Sequence, residues 1–431
     1  MPNQWYLLSC LLSGPNHIAT TNASSIPIIL GEGPFRKSAR YLTIVPPGDS
    51  GSLLATLDPH EHAKRRHIWE KGMNSKAVQG YKEVIHNRIQ ELVVILSQQQ
   101  GQDLNLSTWL SYCSFDIMGD LAFNGQFNVM QTGSSEFVKK LQIFKKALGM
   151  QDYLMVLTWL RQYIPYVRKR YLNQAFWLVE FSMRAITQRM KEGSRYKDYF
   201  YHLLDEEHGG ENALPLQIIF REANLIIPAG YDSTATANCH AFFYLLSNPT
   251  CFKKLRDEVH LHFSTVDEVY LNDDLVQNLP YLNAVINETL RLAPSLASGT
   301  QRYLPKGSAN GGIKLGNTWI PEGTYIQIHT YSLHRNPKYF SPDPEAFHPE
   351  RWLEDGYNTD RAAFVPFSYG PTNCIGKQIA LLTLRKTICA MIVSFDFELS
   401  PEVNPVKWAE DTTERFILGR GELYAKVRKR S

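Results

Sequence analysis

A chain of 431 residues that is 44% hydrophobic and 12% aromatic has ample apolar material for a large core and is too apolar for intrinsic disorder. A formal net charge of +3 is too small for a nucleic-acid-binding surface, and no basic run with interleaved aromatics supplies one locally. Six cysteines without a CxxC pair or regular spacing argue against a disulfide framework and a structural zinc site, so reduced, cytosol-facing thiols are expected.

Trp5 to Leu12 is apolar but too short to span a bilayer, and it lacks the flanks of a signal peptide, so neither an anchor nor a leader is expected. Gly14 to Ala19 and Ile26 to Leu30 read as a strand and a short helix, and residues 31 to 57 as loop. Asp58-Pro59 is a helix start. On that helix His60 and His62 are two apart and face different sides, which argues against zinc, whereas His62 and Arg66 share one face. Helical patterning continues over Lys76 to Gln100, Leu106 to Phe123 and residues 135 to 208.

A long helix is expected from Pro215 to Ser247, where Asn248-Pro249 stops it. Proline and glycine inside a helix cost about 3 and 1 kcal/mol relative to alanine. Pro228 and Gly230 therefore predict a purposeful distortion around Ala229-Gly230-Tyr231-Asp232-Ser233-Thr234. Asp232 beside Ser233 supplies the acid and hydroxyl that a proton relay needs, with a kink bearing ordinary polar residues as the alternative. Helices follow over Phe252 to Phe263 and Pro280 to Leu292, the latter carrying Glu288 and Arg291 one turn apart. Ile313 to Leu315, Thr318 to Ile320 and Thr324 to His329, around a Gly316-Asn317 turn, predict a small antiparallel sheet. Last comes Phe367 to Gly376, a glycine-bounded loop presenting Cys374 just before an apolar helix that opens near Lys377. The helix N-terminus is expected to favour a thiolate, and a thiolate on a rigid apolar floor suits a haem iron.

The Phe-x-x-Gly-x-x-x-Cys-x-Gly pattern of that loop resembles the haem-binding loop of the cytochrome P-450 monooxygenases. The other landmarks stand in the same order as in that family: His62-x-x-x-Arg66, Ala229 to Thr234 with Ser233 in place of the family's threonine, Glu288-x-x-Arg291, and Pro349-Glu350-Arg351. The resemblance covers roughly residues 14 to 427, and Phe115 to Phe123 with Gly370 to Gln378 look most like fungal microsomal members.

The resemblance implies a mainly α fold with a small β portion, helices around a buried haem and a minor antiparallel sheet. It implies one haem-thiolate monooxygenase domain over 1–431, without the N-terminal anchor and hinge of endoplasmic-reticulum members. Haem b would have Cys374 as its axial ligand, with His62, Arg66, Arg302, Phe367, Gly370 and Gly376 completing the cofactor site. The family places an arginine where Thr372 stands, which Arg302 is expected partly to replace. Asp232 and Ser233 would be catalytic, Glu288, Arg291 and Arg351 a structural triad, and Leu225, Ala229, Leu296, Ala297 and Phe416 the lining of the substrate pocket. Tyr163-Ile164-Pro165-Tyr166 lies where the family has a mobile lid.

The implied reaction inserts one oxygen atom from O2 into a lipophilic small molecule, in fungal secondary metabolism. Electrons would come from NADPH through a flavoprotein reductase, with cytochrome b5 as a further donor, because no GxGxxG in a strand-turn-helix context supplies a built-in carrier. Contact with a membrane surface is compatible with this reading; nucleic acid is not. Lys64, Arg65, Lys377, Arg385 and Lys386 are expected to form a docking patch for an acidic partner. A haem-thiolate isomerase, a peroxygenase and a non-catalytic haem protein remain the alternatives.

Overall fold

The computed structural model describes residues 10–14, 16–44, 51–99, 101–133, 140, 165–415 and 417–430. The chain is mainly helical with small sheets, as expected, and falls into two compact units. The first comprises Met1–Glu70, His240–Phe263 and Asn272–Arg385; the second comprises Lys71–Cys239, Ser264–Leu271 and Lys386–Ser431.

The first unit is built on a five-stranded sheet in the order Cys10–Gly14, His17–Thr20, Tyr325–Ile328, Gln301–Tyr303, Arg36–Lys37. All its pairs are antiparallel except His17–Thr20 with Tyr325–Ile328. This corrects the sequence reading in one respect. Gly312–Leu315 and Thr318–Pro321 do form a hairpin on the Gly316-Asn317 turn, but Tyr325–Ile328 leaves them for the larger sheet. Its alternation showed a strand without showing its partner, because the parallel neighbour lies near the other end of the chain. Ile26, Leu30, Phe35, Ile326, Phe340 and Trp352 share the core under this sheet. The short helix Ile26–Leu30 thereby gains a fixed seat, and the cysteine loop rests against it.

The second unit is mostly helical. Asn74 and Asn105 cap the helices Ser75–Gln98 and Leu106–Phe123 by accepting the N–H groups of Ala77 and Thr108. The latter helix is buried nearly throughout, and Phe115 stacks on Phe127 with ring centroids 4.8 Å apart. Arg189, wholly buried, grips both oxygens of Asp198 at 2.6 and 2.8 Å. A three-stranded sheet orders Phe395–Leu399, Tyr424–Lys429 and Asp103–Asn105. The expected long helix is helical over Leu216–Ile226 and Ser233–Ser247, and between them Ile227–Asp232 widens to a π-helical turn. Pro228 explains the break, since it has no N–H for the ladder. Among the described residues no helix is long and apolar enough to cross a membrane. Tyr163, Ile164 and Phe416 lie outside the described residues.

Candidate haem-thiolate site

Backbone and side-chain hydrogen bonds hold the cysteine loop. Cys374 donates its backbone N–H to the Phe367 carbonyl at 2.9 Å, and Asn373 donates to the Gly370 carbonyl at 3.1 Å. Gly370 has φ +72°, and a Cβ there would come within 2.3 Å of the Leu30 carbonyl oxygen, so only glycine fits. Gly376 is different: a Cβ built on it meets nothing within 4 Å. Its glycine is not dictated by protein neighbours, which suits a position where a flat non-protein group passes close to the backbone.

The Cys374 thiol is exposed, yet its surroundings are dense enough that desolvation is the largest influence on it. Burial pushes the thiol up, while the Gly376 N–H and the charges of Arg66 and Lys377 pull the other way without prevailing. The expectation of a thiolate favoured by the helix N-terminus is therefore not met by the protein groups alone. Desolvation outweighs them.

Positive charge gathers in the same unit. The helix Pro59–Met73 starts where Asp58 accepts the Glu61 N–H at 2.7 Å, and it carries His62 and Arg66. Arg66 reaches the cysteine loop, donating to the Asn373 carbonyl at 2.8 Å and to its side-chain oxygen at 2.7 Å, with a third bond to Glu70 at 2.9 Å. Arg302, buried, donates to the Thr372 hydroxyl at 2.5 Å and to its neighbour's carbonyl at 3.1 Å. The residue standing in the family's arginine position is thus tied to the arginine expected to replace it. Each guanidinium has five N–H donors, so these bonds leave others for a carboxylate.

His62 is buried and held down to about 4 by desolvation first, then by the charges of Lys37, Arg66, Arg302 and Arg65. All the named charges acting on it are cations, so the place is short of an anion. Lys37 was missed in the sequence. It lies on the edge strand Arg36–Lys37, where its ammonium donates to the Leu53 and Leu54 carbonyls at 3.0 and 3.1 Å, and no motif marks it.

The loop is supported from below. Glu288 is fully buried and accepts from Arg291 Nε and Nη2, each at 2.8 Å, from Arg351 Nε at 3.0 Å, from Trp352 Nε1 at 3.0 Å and from the His348 N–H at 2.9 Å. Burial alone would raise its carboxyl, but the hydrogen bond and charge of Arg291 and the charge of Arg351 hold it below its usual range. Arg291 in turn donates to the carbonyls of His334, Pro344 and Ala346 at 2.8, 2.6 and 3.0 Å. His334, pushed down to about 3 by burial and Arg291, is neutral. Its Nε2 accepts the Val365 N–H at 3.0 Å, two residues before Phe367, which joins the triad to the loop. Trp352 and His334 extend the triad and were not singled out in the sequence.

In the second unit the π-helical turn leaves Ala229 and Gly230 exposed and turns Tyr231 and Asp232 inward. Asp232 pairs with Arg420 at 2.8 Å. The hydroxyls of Ser233 and Thr234 donate to the carbonyls of Ala229 and Gly230 at 2.7 and 3.1 Å, satisfying acceptors that the widened turn frees. Of the substrate-pocket candidates Leu225 is half-buried and Ala229 exposed in this unit; in the first unit Leu296 is half-buried and Ala297 is buried. The expected docking patch is smaller than proposed. Arg65 is buried against Glu61, the Gly51 carbonyl and Thr56, and Lys386 is buried beneath the Tyr270 ring, which leaves Lys64 and Lys377 exposed and Arg385 half-buried with a bond to Asn283 at 2.9 Å.

The mainly helical fold mounts an exposed cysteine just before a long helix, in the unit that gathers cations around a neutral histidine. The chain belongs to the cytochrome P450 family, whose model matches residues 29–427. It is similar to the cytochrome P450 monooxygenase orf5 of Eupenicillium brefeldianum, 28% identical over 423 residues that cover 97% of this chain and 83% of the relative. It is similar also to cytochrome P450 67 of Uromyces fabae, 28% identical over 94% of this chain and 76% of the relative. The cytochrome P450 monooxygenase notG' of Aspergillus versicolor is 29% identical over 94% and 73%. The protein is accordingly a haem-dependent monooxygenase, and the family's iron carries a cysteine thiolate.

Proposed function

We propose that Cys374 is the axial ligand of haem b and that His62, Arg66 and Arg302 hold its propionates, with Lys37 adding charge. The observation that carries this reading is the set of cations around neutral His62, in the unit whose loop presents the cysteine. Bound haem supplies an iron that activates dioxygen, and electron donation by its thiolate ligand favours O–O cleavage. Cys374, whose thiol desolvation raises, would bind a haem iron as the thiolate and give up its proton in doing so. Phe367 and Gly370 fix the loop that presents the sulfur, and Gly376 leaves room for the haem to pass close to the backbone. Ser233, whose O–H donates to the Ala229 carbonyl in the resting turn, would pass that proton on as its oxygen accepts a replacement, and Asp232 would supply the replacement after itself taking up a proton.

The substrate is a lipophilic small molecule of fungal secondary metabolism. Apolar Leu225, Ala229 and Leu296, none of them fully buried, support the first part, and the fungal relatives support the second. Electrons come from NADPH through a separate flavoprotein reductase, with cytochrome b5 as an auxiliary donor, and Lys64 and Lys377 contribute to docking it. The family match across residues 29–427 supports treating 1–431 as one functional domain. Turnover with isotope-labelled dioxygen, NADPH and reductase tests the reaction: one labelled oxygen is expected in the product. Unlabelled product, or turnover that needs only peroxide, would select the isomerase or peroxygenase reading instead.

His62 gives a pH test. Its folded pKa of about 4 lies below the usual 6.5, so its contribution to stability is full above 6.5 and is lost as pH falls toward 4. Without haem, acidification from pH 7.5 to 5 should remove about 2 kcal/mol of stability through this residue. Denaturant midpoints of His62→Gln should lack that part of the pH dependence, and bound haem, by bringing carboxylates, should shrink it in the wild type. Equal pH dependence of wild type and variant without haem would refute the assignment.

A further inference from the structure

The π-helical turn is gripped by a residue that no motif singles out. Arg420 Nη1 donates to Asp232 Oδ1 and Thr236 Oγ1, each at 2.8 Å; its Nη2 donates to Ser111 Oγ at 2.8 Å and to the Tyr231 hydroxyl at 3.2 Å. One guanidinium thus spans the helix Leu106–Phe123, the π-helical turn and the helix Ser233–Ser247. Its backbone is placed independently of that grip. Gly419 donates to the Thr413 carbonyl at 2.8 Å, and a Cβ there would lie 2.8 Å from the same oxygen. A Cβ on Gly421 would lie 2.9 Å from the Trp408 ring, and its carbonyl accepts from Ser107 Oγ at 2.9 Å. Thr236 Oγ1 also reaches the Leu418 carbonyl at 3.3 Å. Arg420 is therefore delivered on a fixed mount between two glycines that nothing larger replaces.

We propose that Arg420 is a positioning residue for proton delivery: it holds Tyr231 and Asp232 inward, fixing the turn so that Ala229, Gly230 and Ser233 face outward. This rests on the proposed role of Asp232 and Ser233. Because one guanidinium binds both Tyr231 and Asp232, a rearrangement of the turn that moves either side chain has to break one of these bonds. The pairing also orients the Asp232 carboxylate, which has to take up a proton before it can pass one on. The titratable and charged groups facing the guanidinium are Asp232, Tyr231 and Cys239.

The test uses the full-length haem-loaded protein with Arg420→Gln, Arg420→Lys and Asp232→Asn. Amide hydrogen exchange across residues 227–236 is read in the resting protein, and the pH profile of turnover and the share of electrons lost to hydrogen peroxide in the working one. Arg420→Gln should speed exchange in the segment by about tenfold or more, as loss of charged hydrogen bonds requires. It should also displace the pH profile and raise the peroxide share, with Arg420→Lys restoring part of each. Unchanged exchange in either Arg420 variant overturns the inference, and so does faster exchange with pH profile and peroxide share unmoved. Asp232→Asn reports on the underlying reading separately: if it alters neither pH profile nor peroxide share, the relay assignment falls, whatever Arg420 does to exchange.

Discussion

Glu288→Ala should lower stability by about 3–5 kcal/mol, the usual cost of removing one partner from a buried ion pair. The reason is arithmetic at one carboxylate. Its removal leaves Arg291 and Arg351 buried without their counter-charge and strands the donors of Trp352 and of the His348 backbone. A domain has only about 5–15 kcal/mol in total, so much of the variant should fail to fold or to retain haem. Glu288→Gln keeps the shape and an acceptor oxygen but not the charge, and should fall between the two. Urea midpoints and haem content of the purified proteins read the effect. A Glu288→Ala variant with the wild-type midpoint would show that the triad does not hold the loop.

Glu288 also shows what sequence carries and what it does not. A glutamate and an arginine one turn apart occur on countless exposed helices, and their weight here came from order and resemblance rather than from the pair. Arg351 was placed by its Pro-Glu-Arg setting. Trp352 and His334 were not, because they complete the network through a ring N–H and a neutral ring nitrogen, neither of which leaves a spacing signal.

Helix ends were legible where local chemistry sets them, at Asp58-Pro59 and Asn248-Pro249. The distortion at Pro228 and Gly230 was legible for the same reason, as the π-helical turn shows. Quantities that depend on burial were not. Charge counting put Arg65 and Lys386 on a docking surface, whereas the fold buries both. The helix N-terminus suggested a low thiol pKa at Cys374, whereas desolvation raises it. Arg420 was invisible because the four partners that give it its meaning lie 184 to 309 residues away in the chain.

Cys374→Ala is expected to abolish monooxygenase turnover while leaving the fold almost untouched. The side chain is exposed and its sulfur is only a weak acceptor for the Gly376 N–H, so stability without haem should change by no more than about 0.5 kcal/mol. The loop's own supports remain: the residue 374 N–H still reaches the Phe367 carbonyl, and Arg66 still holds Asn373. What is lost is the only group in the loop that can give an iron a thiolate. This combination separates a ligand from a buried structural cysteine such as Cys389, whose truncation would cost stability first.

The carbon monoxide difference spectrum of the reduced protein, wild type beside Cys374→Ala, tests the central claim most directly. The wild type should show the absorbance band of a thiolate-ligated haem, and the variant should lose it while its unfolding midpoint without haem stays in place. A haem-loaded wild type without that band, or the same band in Cys374→Ala, would contradict the assignment of Cys374 as the iron's ligand.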